Sequence, residues 1–394
     1  MKSLLSRRTV LVTFLLLLSA LSLAGCDMTP GEVVDLVEEA MTLAANPPTV
    51  PMPGGIRTPP PPPVNGSGEN ESWAVYFTNP VIPFDDVTTG GLEENLIFLL
   101  NEAQSTIDIA MYELDLENVA EALIAAHERG VRVRVVHDNE HTEDDGLIEE
   151  LEDAGIPATP DQRGAFQHNK FVVIDSLVVW TGSMNFTIND VYRNNNNVIA
   201  FVSPELAANY TAEFEEMFSG QFGPTSPSNT PHPGTAVGDI WVETYFSPED
   251  SPVDQLISLI SEAQESIYFM AFSFTQDDIG DAILARADAG VEVVGLFESR
   301  GANTTFSECQ RFLDRGLDVR LDSNPRVMHN KVIIIDGRVV ATGSFNFSEN
   351  AASSNDENLI FVHSQEIADY YEAEFTRLVS IGLPPAGGEC RAGE

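Results

Sequence analysis

Apolar positions along this chain switch between a helical and a strand period, and the same series of switches occurs twice. The first series contains AQSTIDIAMYELDLENVAEALIAAHERGVRVRVV from Ala103. The second contains AQESIYFMAFSFTQDDIGDAILARADAGVEVVGL from Ala263, displaced by 160 residues without a gap. Each predicts a helix ending at Ala-Gln, an apolar strand, an amphipathic helix closed by Gly130 or Gly290, and a valine-rich strand. A further helical stretch follows, GLIEELEDAG in one series and ECQRFLDRG in the other.

Two nearly identical segments close the series, HNKFVVIDSLVVWTGSMNF from His168 and HNKVIIIDGRVVATGSFNF from His329. In each, an apolar strand meets a tight turn, at Asp175-Ser176 or Asp336-Gly337, and returns as a strand ending in Thr-Gly-Ser. Asp-Gly between apolar runs is a hairpin signal. Strands alternating with helices predict an α/β fold built by duplication. Each repeat is a mixed β-sheet flanked by helices, and the two pack face to face about a pseudo-twofold axis. The repeats are placed at 73–222 and 239–383, with a Pro/Gly/Ser-rich linker at 223–238 and a tail at 384–394.

Ahead of the repeats the pattern differs. Lys2, Arg7 and Arg8 precede an apolar run, Val10 to Ala24, that is short for a membrane span, and Leu23-Ala24-Gly25-Cys26 follows. This resembles a bacterial lipoprotein signal with Cys26 as the lipidated first residue. Residues 1–25 are then a removable leader, and the mature chain is expected to be exported and membrane-anchored, facing the periplasm or the cell exterior. An ordinary signal peptide and an uncleaved anchor are the alternatives. Residues 26–72 hold a short helical stretch and then Pro-rich and Gly/Ser/Glu-rich runs, which read as a tether.

The formal net charge of −41 is spread through both halves. Such a surface repels nucleic acid at long range and suits a solvated, exported protein. Against this background the lysines are informative. Apart from Lys2, the chain has only Lys170 and Lys331, at matching places in the two HNK segments. Arginine serves elsewhere, so these sites call for a compact ammonium.

Both copies fit H-x-K-x4-D-x6-G-S-x-N: His168, Lys170, Asp175, Gly182, Ser183 and Asn185, then His329, Lys331, Asp336, Gly343, Ser344 and Asn346. Residues i and i+2 of a strand share a face, so each His projects with its Lys while Asn169 or Asn330 points away. If the repeats pair, two imidazoles, two ammoniums and two amides converge on a site suited to a phosphodiester. The lysines, together with Ser183, Asn185, Ser344 and Asn346, would hold phosphoryl oxygens, one imidazole would attack phosphorus and the other would protonate the leaving oxygen. Asp175 and Asp336 complete the catalytic motif from turns, where they would orient rather than carry protons. A zinc site is the chemical rival, but a lysine two residues from each histidine repels a cation, so no metal or other cofactor is expected.

These doubled segments resemble the phospholipase D superfamily, over roughly Trp73 to Leu383. The compact halves look most like its small endonuclease and cardiolipin-hydrolase branch, fused in tandem. The resemblance implies a two-step, metal-independent phosphodiesterase or transphosphatidylase with a phosphohistidine intermediate, acting as a monomer with both half-sites in one chain. A phospholipid is the leading substrate, because the chain reads as tethered beside a membrane. A surface nuclease is the second reading and needs an arginine groove, for which Arg132, Arg134, Arg163, Arg193 and Arg326 are candidates. A pseudoenzyme scaffold is the third, disfavoured by two intact motifs. Downstream of the motifs, Glu357 stands opposite Asn196 in the repeat register. The resemblance implies a carboxylate here on the far nitrogen of the motif histidine. Glu357 is therefore expected to hold His329 as the protonated acid, and Asn196 to hold His168 as the neutral nucleophile. Finally, Cys309 and Cys390 are expected either to form a disulfide pinning the tail or to remain a buried thiol and a frayed one.

Overall fold

The computed structural model describes residues 72–142 and 146–392. The leader, Cys26 and the tether before Ser72 lie outside the described residues. Among the described residues no helix is long and apolar enough to cross a membrane.

The first repeat lays down β1 (Trp73–Phe77), α1 (Gly91–Glu102), β2 (Thr106–Met111), α2 (Glu117–Glu128), β3 (Arg132–His137), α3 (Leu147–Asp153), β4 (Ala158–Pro160), β5 (Phe171–Ile174), β6 (Val178–Gly182), α4 (Ile188–Tyr192), β7 (Asn197–Val202) and α5 (Pro204–Phe218). Its seven-stranded sheet has the order β1-β7-β6-β5-β2-β3-β4. The second repeat follows with β8 (Gly234–Val237), β9 (Ile240–Ser247), α6 (Pro252–Glu262), β10 (Ser266–Ala271), α7 (Asp277–Asp288), β11 (Glu292–Phe297), α8 (Glu308–Asp314), β12 (Asp318–Leu321), β13 (Lys331–Ile335), β14 (Val339–Gly343), α9 (Glu349–Ser353), β15 (Glu357–His363) and α10 (Gln365–Ile381). Its sheet, β12-β11-β10-β13-β14-β15-β9-β8, runs the same series with one extra hairpin strand. Parallel pairing of β2 with β3 and of β10 with β11, beside antiparallel neighbours, makes both sheets mixed.

Each sheet is apolar on both faces, as strands buried on two sides must be. The outer faces pack under the short helices, with Leu96, Leu123 and Trp180 in one core and Ile260, Phe269 and Phe312 in the other. The inner faces share a central core in which Phe171, Tyr210 and Phe214 of the first repeat meet Phe246, Val332 and Tyr371 of the second. The repeats therefore fold against each other. A disulfide joins Cys309 of α8 to Cys390 across 81 residues, tying the tail to the second repeat.

The hairpins turn where Asp175, Ser176, Asp336 and Gly337 take positive φ, the conformation that lets a two-residue loop follow the strand twist. Gly182 ends β6 where a Cβ would come within 2.3 Å of the Asn197 carbonyl oxygen, and Gly343 repeats this against Asn358. Only glycine lets β6 and β14 approach their neighbours so closely.

Candidate active site

His168 and Lys170 lie at the start of β5, and His329 and Lys331 at the start of β13. The main chain of each motif is pinned by the other repeat. His168 N donates to Asp356 O at 2.9 Å and Asp356 N to Phe166 O at 2.9 Å. In the mirror arrangement, His329 N donates to Asn195 O at 2.8 Å and Asn195 N to Val327 O at 2.9 Å. Asparagines lock the same seam. Asn358 Nδ2 donates to Asn169 Oδ1 and Asn197 Nδ2 to Asn330 Oδ1, while Thr181 and Thr342 donate across to Asn358 and Asn197. Asn169 and Asn330 thus point away from the reaction centre, as expected, and fasten the interface.

The side-chain partners are crossed relative to the sequence expectation. Glu357 holds His168, not His329: His168 Nδ1 lies 2.7 Å from Glu357 Oε2. Asn196 holds His329, not His168, through Oδ1 at 3.0 Å from His329 Nδ1. The reason is the seam itself, because each motif pairs with the other repeat's β7 or β15 approach and meets the residue that arrives there. Ser344 Oγ also donates to Glu357 Oε2, and Ser183 Oγ to Asn196 Oδ1, each at a buried position. Both acceptors therefore take the Nδ1–H of their histidine, leaving Nε2 as the free nitrogen. The serine hydroxyls position these acceptors rather than facing a phosphoryl group.

Each Lys Nζ donates to the carbonyl of its own histidine, at 2.6 Å for Lys170 and 2.8 Å for Lys331. One of three ammonium donors is thus used, and two remain. Each ammonium also sits over a ring at the end of the central strand, Tyr112 at 4.8 Å and Phe272 at 4.7 Å. The same rings contact the histidines edge to face, with centroids 4.7 Å apart in both repeats. These two aromatics were legible only as strand-end residues at matching register.

Burial governs the charges. It lowers both histidines well below their ordinary value, and the two lysines, each acting on both rings, lower them further. The crossed contacts of His168 with Glu357 and of His329 with Asn196 are what bring the two His-Lys pairs together at the seam. Burial brings Lys170 down to about 8, against the pull of Glu357 and Glu113. It also lowers Lys331, with Lys170 adding to the effect. Glu357 is pushed up to about 7 by burial, opposed by Lys170. The site is poised to receive an anion: a phosphoryl group would favour the charged form of every base present.

Asp190, on α4, is a second carboxylate that the repeat comparison missed. Its Oδ2 lies 3.5 Å from His329 Nδ1, and it accepts from Asn185 N and Asn194 Nδ2. Its register partner is Ala351, so a search for matched residues passes over it. Asn185 Nδ2 reaches Glu113 at 3.2 Å. The buried Oδ1 atoms of Asn185 and Asn346 find no protein partner.

Asp175 and Asp336 are not in the site. They occupy hairpin turns at the far ends of β5 and β13 from the histidines. Asp175 accepts from the main chain of Gln104, Ser105 and Thr106, and Asp336 from Gln264, Glu265 and Ser266. These bonds outweigh their partial burial and lower both carboxyls. The aspartates fasten the entry to β2 and β10, so their motif spacing measures a strand length.

Three of the five arginines suggested for a groove are already engaged. Arg132 and Arg134 pair with Asp108, and Arg163 pairs with Asp356. Among the described residues, one trio of carboxylates is close enough to share a metal ion, Glu213, Glu216 and Glu249, and it contains no histidine.

A family model described as "Cardiolipin synthase, PLD-like domain" matches residues 96–218 and 256–379, one match per repeat and together more than half of the chain. A phospholipase D of Rickettsia conorii is 36% identical over 130 residues, 33% of this chain and 65% of that protein. A mitochondrial cardiolipin hydrolase of Xenopus tropicalis is 33% identical over 132 residues, 33% of this chain and 62% of that protein. The match thus spans less than two thirds of either relative. The solved phosphatidylserine synthase of Haemophilus influenzae aligns with a TM-score of 0.59 at 14% identity, over 80% of this chain and 88% of its own, a likeness of fold across both repeats.

Proposed function

This chain belongs to the phospholipase D superfamily, and from that premise we propose that it is a metal-independent phosphodiesterase hydrolysing phospholipids through a phosphohistidine. One observation carries the reading: two buried His-Lys pairs meet at one centre, with both Nδ1 atoms committed to acceptors from the opposite repeat. In the first step, His168 Nε2 forms a bond to phosphorus while the bond to the leaving alcohol breaks, and His329 gives that oxygen its proton. In the second, water gives a proton to His329 and its oxygen displaces His168 from phosphorus. The free ammonium donors of Lys170 and Lys331 neutralise the charge gathering on the phosphoryl oxygens.

The crossed partners support His168 as the nucleophile on a different ground from that expected. Attack places positive charge on the ring, and the Glu357 carboxylate at 2.7 Å stabilises it. The general acid must instead release a proton. An amide acceptor at 3.0 Å fixes its tautomer without holding that proton back as strongly. A lipid rather than a nucleic acid is favoured by the net charge, by the engaged arginines and by relatives named phospholipase D and cardiolipin hydrolase.

The test is turnover of phosphatidylcholine, cardiolipin and single-stranded DNA in EDTA. Lipid cleavage is expected. Cleavage of DNA alone would establish the nuclease reading, and activity lost in EDTA and restored by zinc would overturn the metal-free one. For location we propose the lipid-anchored form implied by residues 1–26. Cys26→Ser should leave the membrane fraction or stall in processing, and an unchanged membrane fraction would count against the anchor.

A further inference from the structure

The duplication treats one pair of helix positions in opposite ways. On α10 of the second repeat Glu374 is buried, and Arg377, one turn on, meets its carboxylate at 2.7 and 2.6 Å. The register that matches Tyr371 with Tyr210 matches these two residues with Glu213 and Glu216 on α5. Residues three apart share a helix face, so the first repeat places a second carboxylate where the second repeat places its arginine. A third arrives from the other repeat, because Glu249 stands just past the end of β9. Carboxylate oxygens of Glu213, Glu216 and Glu249 all lie within 4.8 Å of one another. The charges that act most on the three are one another and two more carboxylates, Asp250 and Asp356. The arginines nearby serve other acids, Arg134 pairing with Asp108 and Glu215 and Arg163 with Asp356.

The unmet charge is also an unmet bonding site. Glu216 is only 8% exposed, yet among the described residues its buried Oε2 has no hydrogen-bond partner, and neither has the buried Oε2 of Glu249. A buried carboxylate without a donor or counter-charge is strongly unfavourable. Three carboxyls in mutual reach must share protons or share a cation. We propose that Glu213, Glu216 and Glu249 hold a calcium ion, which does in the first repeat what Arg377 does in the second. The ligand set is all oxygen, without histidine or cysteine, and so favours a hard cation over zinc. Calcium takes roughly six to eight oxygens in flexible geometry, bidentate carboxylates included, whereas magnesium demands an octahedron and keeps several waters. The Asn229 amide of the linker stands beside Glu216 and offers a neutral oxygen. The ion is a clamp rather than a catalyst. Glu213 also accepts from Asn169 Nδ2 at 3.3 Å, and Asn169 is the residue between His168 and Lys170 that fastens the seam through Asn358. A cation here ties α5 of the first repeat to the end of β9 of the second, behind the motif strand, and touches no reacting group.

This inference depends neither on the substrate nor on which histidine attacks. The test is calorimetric titration of the full chain with calcium chloride in physiological salt, after EDTA treatment and dialysis. One site per chain is expected, with a Kd between about 10⁻⁶ and 10⁻³ M, distinct from the weak, salt-sensitive binding of an acidic surface. Saturating calcium should raise the melting temperature by about 5 °C, and magnesium at the same concentration by less. Glu216→Gln should abolish the site. Glu216→Arg installs the second repeat's arrangement, so it should bind no calcium and should melt, in EDTA, at or above the metal-free wild type. Only weak background binding by the wild type, with a melt that calcium leaves unchanged, would overturn the proposal, since the carboxyls would then share protons. A one-site signal that survives in folded Glu216→Gln and Glu216→Arg proteins would overturn it as well. Because the ion touches no reacting group, EDTA should not alter turnover of a p-nitrophenyl diester below the melt. Turnover lost in a protein still folded, and restored by calcium, would overturn the clamp role.

Discussion

His168→Asn should form no phosphoenzyme from any diester, whereas His329→Asn should still form one when the leaving group needs no proton. The two rings look alike. Each is buried, each has a lysine two residues on and an aromatic edge beside it, and each is held at Nδ1 from the opposite repeat. What separates them is the charge of the holder. Glu357 can neutralise the cation formed when His168 attacks phosphorus. The nearest oxygen to His329 Nδ1 is an amide, and the Asp190 carboxylate stands further off at 3.5 Å. A natural alcohol is a poor leaving group and needs the proton of His329. Its loss in His329→Asn should therefore slow turnover of a phospholipid by about 10²- to 10⁴-fold, the span attributed to general acid catalysis. A p-nitrophenyl diester leaves unaided, so rapid-quench labelling of His329→Asn with that substrate should show a phosphoenzyme burst within about tenfold of the wild-type rate. The label should then persist, because water attack on the phosphohistidine lacks its base. Label recovered on His329 in the His168→Asn protein would reverse the roles.

Much of this centre is legible in the sequence. Doubling of the motif, two isolated lysines and the strand period together placed His168, Lys170, His329 and Lys331 on one spot. They required only that the repeats pair, and the apolar inner faces made pairing necessary. What the sequence could not convey was the handedness of the exchange. Glu357 lies 28 residues after its own repeat's histidine and 189 after the other's, and proximity along the chain favours the wrong partner. The pairing is set by main-chain bonds across the seam, at Gln167 with Asp356 and at Asn195 with Met328, which leave no mark on hydrophobic periodicity. Asp190 was hidden for a related reason: its partner at register is Ala351, and a comparison of repeats finds only what both keep. Asp175 and Asp336 failed in the opposite direction. They recur perfectly, but the cause is a turn that must present a carboxylate to three main-chain N–H groups at a strand entry.

Glu357→Gln should slow phosphoenzyme formation by about 10²- to 10³-fold, comparable to removing one preorganised electrostatic partner of a transition state, and should change the pH profile in a specific way. The substitution is close to a pure charge change. Ser344 Oγ donates to Oε2, the same atom that faces His168, so the amide oxygen of glutamine is drawn to that position. The Nδ1–H tautomer of His168 is then kept, and the pair becomes a copy of the Asn196–His329 pair. Titration supplies an independent signature. Burial pushes Glu357 up to about 7, and the mechanism requires its carboxylate. Activity should therefore rise with pH through about 7. Burial brings Lys170 down to about 8, and the mechanism requires its ammonium, so activity should fall through about 8. With the p-nitrophenyl diester, which needs no proton from His329, the wild-type protein is thus expected to show a narrow bell in kcat/KM, its basic limb shared with Lys331, which burial also lowers. Glutamine does not titrate, so Glu357→Gln should lose the acid limb near 7 and keep the basic limb near 8, on a lower plateau. Two results would detach Glu357 from the nucleophile: an acid limb that survives the substitution, or a phosphorylation rate that does not change. A rate deficit seen only with poor leaving groups would place Glu357 on the proton-donating side and exchange the roles of the two histidines.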